Sequence, residues 1–175
     1  RFYDIDSEYE IVNDLINQSK PNKSIPTIFI WPEGMLASTN LENIQQYKNL
    51  FQLNFSNKHI IIFGINDLKK ENNSKIYNSL AVVDNNLNLI SYYHKNNLVP
   101  FGEFLPMENF LRKIGLKTIA HNYQSFSKGS ERKIISIKNQ YFDLSFLPLI
   151  CYEIIYSGKL KKTNNFDFII NISED

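Results

Sequence analysis

At 175 residues, 43% hydrophobic and 14% aromatic, the chain can bury one globular core but is too short for two comfortable domains. A formal net charge of +1, with lysines spread along the chain, lacks the basic footprint of a phosphate-backbone binder, so no nucleic-acid partner is expected. The single cysteine excludes an internal disulfide and a thiol-rich zinc site, and no apolar run approaches the roughly 20 residues of a membrane-spanning helix.

Ser7 followed by Glu10 is a capping-box pattern, and Ile11, Val12, Leu15 and Ile16 share one face at a 3.6-residue period; a helix is predicted from about Ser7 to Gln18. After a proline-bearing loop, Thr27 to Trp31 is a β-rich run closed by Pro32, so Glu33 falls just past a strand end. The pattern then repeats. Thr39 and Glu42 make a second capping box, Ile44, Tyr47 and Phe51 are helically spaced, and Ile60 to Ile65 reads as a strand. Ser79–Val83 and Leu89–Tyr93 flank the turn signal Asp84-Asn85-Asn86 and predict a hairpin, with Lys95 following its second strand. From Pro100 to Gly129 periodicity is lost except for a short helix marked by Met107, Phe110, Leu111 and Ile114, and a long excursion of this kind is often functional. Strands at Ile134–Ile137, Phe142–Ile150 and Phe166–Ile172 complete an α/β layered domain.

Cys151 ends one of these apolar runs, and a thiol is a strong nucleophile once a base removes its proton. Glu33, beside Trp31, is a carboxylate that partial desolvation would turn into a usable base. Lys95 could donate to a developing oxyanion. Glu103 is unusual as a carboxylate inside an apolar, proline-bounded loop, where it could orient Lys95 or assist the base. Taken in isolation, Glu33 reads as a loop carboxylate in water, Lys95 as an exposed lysine at a strand terminus, Glu153 and Asn78 as a surface charge and a turn amide, and Cys151 as a small core residue. His59, His94 and His121 show neither a thiol-protease signature nor metal-ligand spacing, and no glycine loop is built to cradle phosphate, so no metal or nucleotide cofactor is expected.

The ordered segments Trp31-Pro32-Glu33, His94-Lys95 running on through Leu98-Val99-Pro100-Phe101-Gly102-Glu103-Phe104-Leu105-Pro106, and Ile150-Cys151-Tyr152-Glu153 resemble the nitrilase, or carbon-nitrogen hydrolase, superfamily. Within it they look like the apolipoprotein N-acyltransferase family, as do Ser125-Phe126-Ser127-Lys128-Gly129 and Asn171-Ile172-Ser173. The resemblance implies an αββα sandwich in which Glu33 is general base, Lys95 stabilises the oxyanion and Cys151 carries a thioester. Glu103 would be a further essential carboxylate, Tyr152 and Glu153 would flank the nucleophile, and Asn78 would be an active-site amide. It further implies a phospholipid acyl donor, a diacylglyceryl-cysteine apolipoprotein as acceptor, and work at a membrane surface, the periplasmic face of a bacterial inner membrane. Phe101, Phe104, Leu105, Met107, Phe110 and Leu111 would then form a lipid-facing lid.

On the same resemblance, residues 1–175 are a partial domain, with the first strand upstream of Arg1, the last strands and helix beyond Asp175, and the family's flanking transmembrane helices absent. Gly34 stands where a serine is usual. Two further readings stay open: a soluble amidase or nitrilase-type hydrolase using the same three residues with water as acceptor, and an inactive fragment retaining the signature.

Overall fold

The computed structural model describes residues 5–36, 38–69, 74–106, 125–159 and 165–174. In chain order the elements are α1 (Ile5–Ser19), β1 (Thr27–Ile30), a 3-10 turn (Ile44–Tyr47) continuing into α2 (Lys48–Asn54), β2 (His59–Lys69), β3 (Lys75–Val83) and β4 (Leu89–His94). They are followed by β5 (Ile135–Lys138), β6 (Asp143–Ile150), a 3-10 helix (Cys151–Lys159) and β7 (Phe168–Ile172).

The strands form two sheets. The first has the order β1-β2-β3-β4, with β1 parallel to β2 and the rest antiparallel, and the second has the order β5-β6-β7, with β7 parallel to β6. Alternation along the strands decides what each sheet face meets. Ile61, Phe63, Ala81 and Val83 face outward and pack under Val12 and Ile16 of α1, Leu50 and Phe51 of α2, and Trp31. Ile60, Ile62, Leu80, Val82 and Tyr93 face the other way and interleave with Ile135, Ile137, Phe146, Ile150, Ile170 and Ile172 of the second sheet. The described residues thus make helix, sheet and sheet layers of the expected sandwich, and Glu33, Lys95 and Cys151 stand at or just past the ends of β1, β4 and β6.

Several expectations are corrected. The first helix begins at Ile5, so Ser7 lies inside it rather than capping it. Thr39 does not cap α2 either: its hydroxyl donates to Glu8 Oε2 at 2.7 Å, and the Ser38 amide donates to Glu8 Oε1. Glu8 is a fully buried carboxylate of α1, and these donors compensate its desolvation by tying the helix to the loop after Glu33. β2 runs on to Lys69 through Asn66 and Asp67, polar residues that an apolar-run criterion excludes. The predicted helix from Met107 to Ile114 lies outside the described residues, as do the lid positions Met107, Phe110 and Leu111.

Candidate active site

The backbone of β1 continues in register past its last ladder residue, since Trp31 N–H donates to Ile62 O at 2.8 Å and Gly64 N–H to Pro32 O at 3.2 Å. That extension delivers Glu33 alongside Gly64 of β2. A β-carbon added at Gly64 would lie 2.6 Å from Glu33 Cα, so only glycine lets the two backbones approach this closely. Trp31 does not desolvate Glu33: its ring packs on Phe51 and Phe63 in the helix-facing core, and its Nε1–H donates to Ser19 Oγ at 3.0 Å. Residues on the opposite sheet face enclose the carboxylate instead. Asn78, in the middle of β3 and buried, donates from Nδ2 to Glu33 Oε1 at 2.6 Å, while Glu33 Oε2 is buried without a hydrogen-bond partner.

Lys95 directly follows β4. Its backbone N–H donates to Asn78 O, and its carbonyl accepts from Gly129 N–H, both at 2.9 Å. A β-carbon at Gly129 would stand 2.2 Å from His94 O, so this contact too requires glycine. The Lys95 side chain is 1% exposed, with Nζ 2.8 Å from Glu103 Oε1 and 4.0 Å from Glu33 Oε1. Glu103 is held in turn by Asn78 Nδ2 at 2.9 Å on Oε1 and by the Val99 amide at 2.8 Å on Oε2. One ammonium and one amide thus tie two carboxylates into a single network, and the loop carboxylate singled out in the sequence is the immediate partner of Lys95.

Cys151 closes β6 and opens the following 3-10 helix with φ +53°, a left-handed conformation that costs a non-glycine residue on the order of 1 kcal/mol or more. The strand-to-helix corner lifts the thiol, half-buried, toward the network. Burial pushes the thiol up from its ordinary value, and the Glu33 carboxylate pushes it further, against the pull of Lys95 and of the Tyr152 amide. Burial likewise raises the Glu33 carboxyl above the usual range; the Asn78 hydrogen bond and Lys95 oppose this, and Glu103 and Glu174 add to it. At neutral pH Cys151 is therefore a protonated thiol, and the Glu33 carboxyl whose charge acts on it is of raised basicity.

Glu153 is neither exposed nor a bystander. It is fully buried, and its Oε1 accepts from Tyr93 Oη at 2.7 Å, Asn96 N–H at 3.2 Å and Asn97 N–H at 3.0 Å, while Oε2 accepts from Ile150 N–H at 3.0 Å. Arg132 Nη2 stands 2.9 Å from Oε1 as an ion pair, off the hydrogen-bond axis. This carboxylate binds the corner carrying Cys151 to the segment carrying Lys95, and with burial it drives the Tyr93 hydroxyl up. Tyr152, by contrast, is 58% exposed. Of the described lid positions, Phe101 is exposed at φ +61° and Phe104 lines a cleft, but Leu105 is buried and turned inward as the apolar anchor of its loop.

Two clefts flank the network. One, of about 380 Å³, is lined by Glu33, Asn66, Asn78, Glu103, Phe126 and Glu174 among others. The other, of about 450 Å³, is walled by Leu98, Pro100, Phe104 and Phe126, with Asn96, Asn97 and Lys128 at its margin. Sequence reasoning missed Arg132, Tyr93, Phe126 and Glu174. It also passed over Gly64 and Gly129, although an isolated glycine in a strand pattern is a usable sign of close backbone approach.

A thiol at a strand-to-helix corner, a buried lysine and a half-buried carboxylate make up the candidate site. The profile of the carbon-nitrogen hydrolase family matches residues 26–175, and the chain belongs to that family. The apolipoprotein N-acyltransferase of Rickettsia prowazekii (strain Madrid E) is 34% identical over 150 residues, 85% of this chain and 29% of that protein. The enzyme of the same name from Brucella suis biovar 1 (strain 1330) is 30% identical over 156 residues, 87% of this chain and 29% of that protein. The chain thus spans about three tenths of the length of these curated relatives. In fold it is similar to the glutamine-dependent NAD+ synthetase of Acinetobacter baumannii, with a TM-score of 0.60 at 21% identity over 98% of this chain and 30% of that one. Among the described residues no helix is long and apolar enough to cross a membrane.

Proposed function

We infer that this chain carries the catalytic core of an apolipoprotein N-acyltransferase, moving an acyl group from a phospholipid through Cys151 to the amino group of a diacylglyceryl-cysteine lipoprotein. The observation that carries the reading is the linkage of Glu33 and Lys95 through Asn78 and Glu103, facing the Cys151 corner. The curated relatives' names supply the substrate class.

In the first half-reaction Cys151 Sγ attacks the ester carbonyl as Glu33 takes the thiol proton. Lys95 Nζ, held at 2.8 Å by Glu103, neutralises the tetrahedral oxyanion. Collapse breaks the carbonyl–oxygen ester bond, and Glu33 returns its proton to the departing lysophospholipid oxygen, leaving a thioester. In the second half the lipoprotein amine attacks that thioester and loses a proton to Glu33. The carbonyl–sulfur bond then breaks, an amide is formed, and the thiol regains its proton. Two moderate barriers replace one high one. On this reading the site works at the periplasmic face of a membrane, with Phe101 and Phe104 directed to lipid.

The test is to incubate the protein with phospholipid vesicles and a synthetic diacylglyceryl-cysteine peptide bearing a free amine. The expected products are lysophospholipid and a peptide heavier by one acyl chain, with none from an N-acetylated peptide. Release of free fatty acid without peptide acylation would refute the acyltransferase reading in favour of a hydrolase.

A further inference from the structure

Phe126 touches both clefts beside the reaction centre, and its placement is rigid. Its N–H donates to Glu103 O at 2.8 Å, and the next amide, Ser127 N–H, donates to Ile76 O at 2.7 Å. With the backbone pinned on both sides, only the half-buried ring is free to adjust. Two of the clefts it lines differ in chemistry. On one side stand the carboxylates of Glu33, Glu103 and Glu174, which repel an anion and disfavour an alkyl chain but suit an ammonium group. On the other, Leu98, Pro100 and Phe104 offer apolar wall, and the exposed Lys128 supplies the charged group at the margin. The apolar cleft is tied to the corner that carries Cys151, because Asn96 and Asn97 both line it and donate their amides to Glu153, two residues beyond Cys151.

We propose that the Phe126 ring is the partition that sets substrate specificity, directing the alkyl chain of the acyl group into the Leu98–Phe104 cleft and reserving the carboxylate-lined cleft for the incoming amine. This rests on the acyl-transfer reading for the identity of the two substrates. It predicts a chain-length preference at Cys151 that depends on residue 126 and does not require turnover.

Because Cys151 is the only cysteine, N-alkylmaleimides probe this directly. The thiolate adds to the maleimide double bond, a carbon–sulfur bond forms, the proton ends on the neighbouring carbon and nothing leaves. Each methylene seated in the cleft is worth about fourfold, so seating two makes N-octylmaleimide about fifteenfold faster than N-ethylmaleimide once both rates are normalised to free cysteine. In Phe126→Ala that ratio should fall below about threefold, whereas Phe126→Leu, which keeps an apolar wall, should retain most of it. An octyl preference that is absent from the wild type, or unchanged in a folded Phe126→Ala chain, overturns the partition. Loss of folding in Phe126→Ala would leave Phe126→Leu and the wild-type ratio to decide. Failure of acyl transfer from phospholipid would leave these alkylation ratios standing, so the two readings fail separately.

Discussion

Gly64→Ala tests whether the close approach of β2 to the loop after β1 sets the position of the Glu33 carboxylate, the proposed general base. The new methyl would lie 2.6 Å from Glu33 Cα and 3.2 Å from Ile172 Cδ1, against an ordinary contact of 3.4–4 Å. Relief therefore requires the Glu33 backbone to retreat by about 0.8 Å, since it is main chain and cannot rotate away as a flexible side-chain tip would. A shift of that size strains the 2.6 Å bond from Asn78 and withdraws the carboxylate from the Cys151 corner. Misplacement of about 1 Å costs about 10²-fold in rate, which corresponds to about 2.7 kcal/mol of transition-state stabilisation. Overpacking should also cost about 1–3 kcal/mol of fold stability. The assay is p-nitrophenol release from a p-nitrophenyl acyl ester on acylation of Cys151, beside a thermal melt. Gly102→Ala is the control, because its nearest neighbour would be Val99 Cγ1 at an ordinary 3.4 Å. A folded Gly64→Ala protein acylating within about threefold of wild type would refute the positioning argument.

Three further outcomes are expected. The Glu33 carboxyl is raised in the folded state, chiefly by burial, so its ionisation costs stability as pH rises from the unfolded value through the folded one. Glu33→Gln should therefore melt higher than wild type at pH 7.5, lose that advantage below about pH 4 where both side chains are neutral, and form no thioester; paired melts at the two pH values check it. Lys95→Met should slow acylation by about 10²–10³-fold. It should also move the ionisation governing any residual rate upward, because Lys95 is one of the groups pulling Glu33 down; a pH–rate profile shows the direction. Glu153→Gln replaces an acceptor-only carboxylate with an amide whose N–H₂ must face a donor, either Ile150 N–H or the Tyr93–Asn96–Asn97 group, and it leaves Arg132 unpaired. A loss of about 3–5 kcal/mol in urea unfolding is expected, and an unchanged midpoint would show the hub to be dispensable.

The sequence made the strand ends legible because apolar, β-branched runs stop abruptly at Pro32, His94 and Ile150, and Glu33, Lys95 and Cys151 stand at or just past those stops. The thiol, the lysine and the carboxylate were therefore readable as a candidate set before any geometry was available. What the sequence hid is long-range pairing. Glu153 read alone is a surface charge, and only the fold brings Tyr93, Asn96, Asn97 and Arg132 to it. Asn78 read as a turn amide because the polar extension of β2 and β3 beyond Ile65 and Ser79 carries no apolar pattern, yet that extension delivers the amide linking Glu33 to Glu103. The capping-box signal at Thr39 was outcompeted by a tertiary contact to Glu8, which no local motif announces. Leu105 pointed outward in a lipid-facing reading because its neighbours are apolar too; burial singles it out as the residue that anchors the loop.

The most direct test of the central claim is mass spectrometry of this chain after incubation with phospholipid vesicles, with Cys151→Ala alongside. The expected result is a hydroxylamine-sensitive acyl adduct on the wild type and none on the variant, showing that Cys151 accepts an acyl group from a lipid ester. A folded wild-type chain that gains no adduct would contradict the claim that this site is itself a competent acyl acceptor.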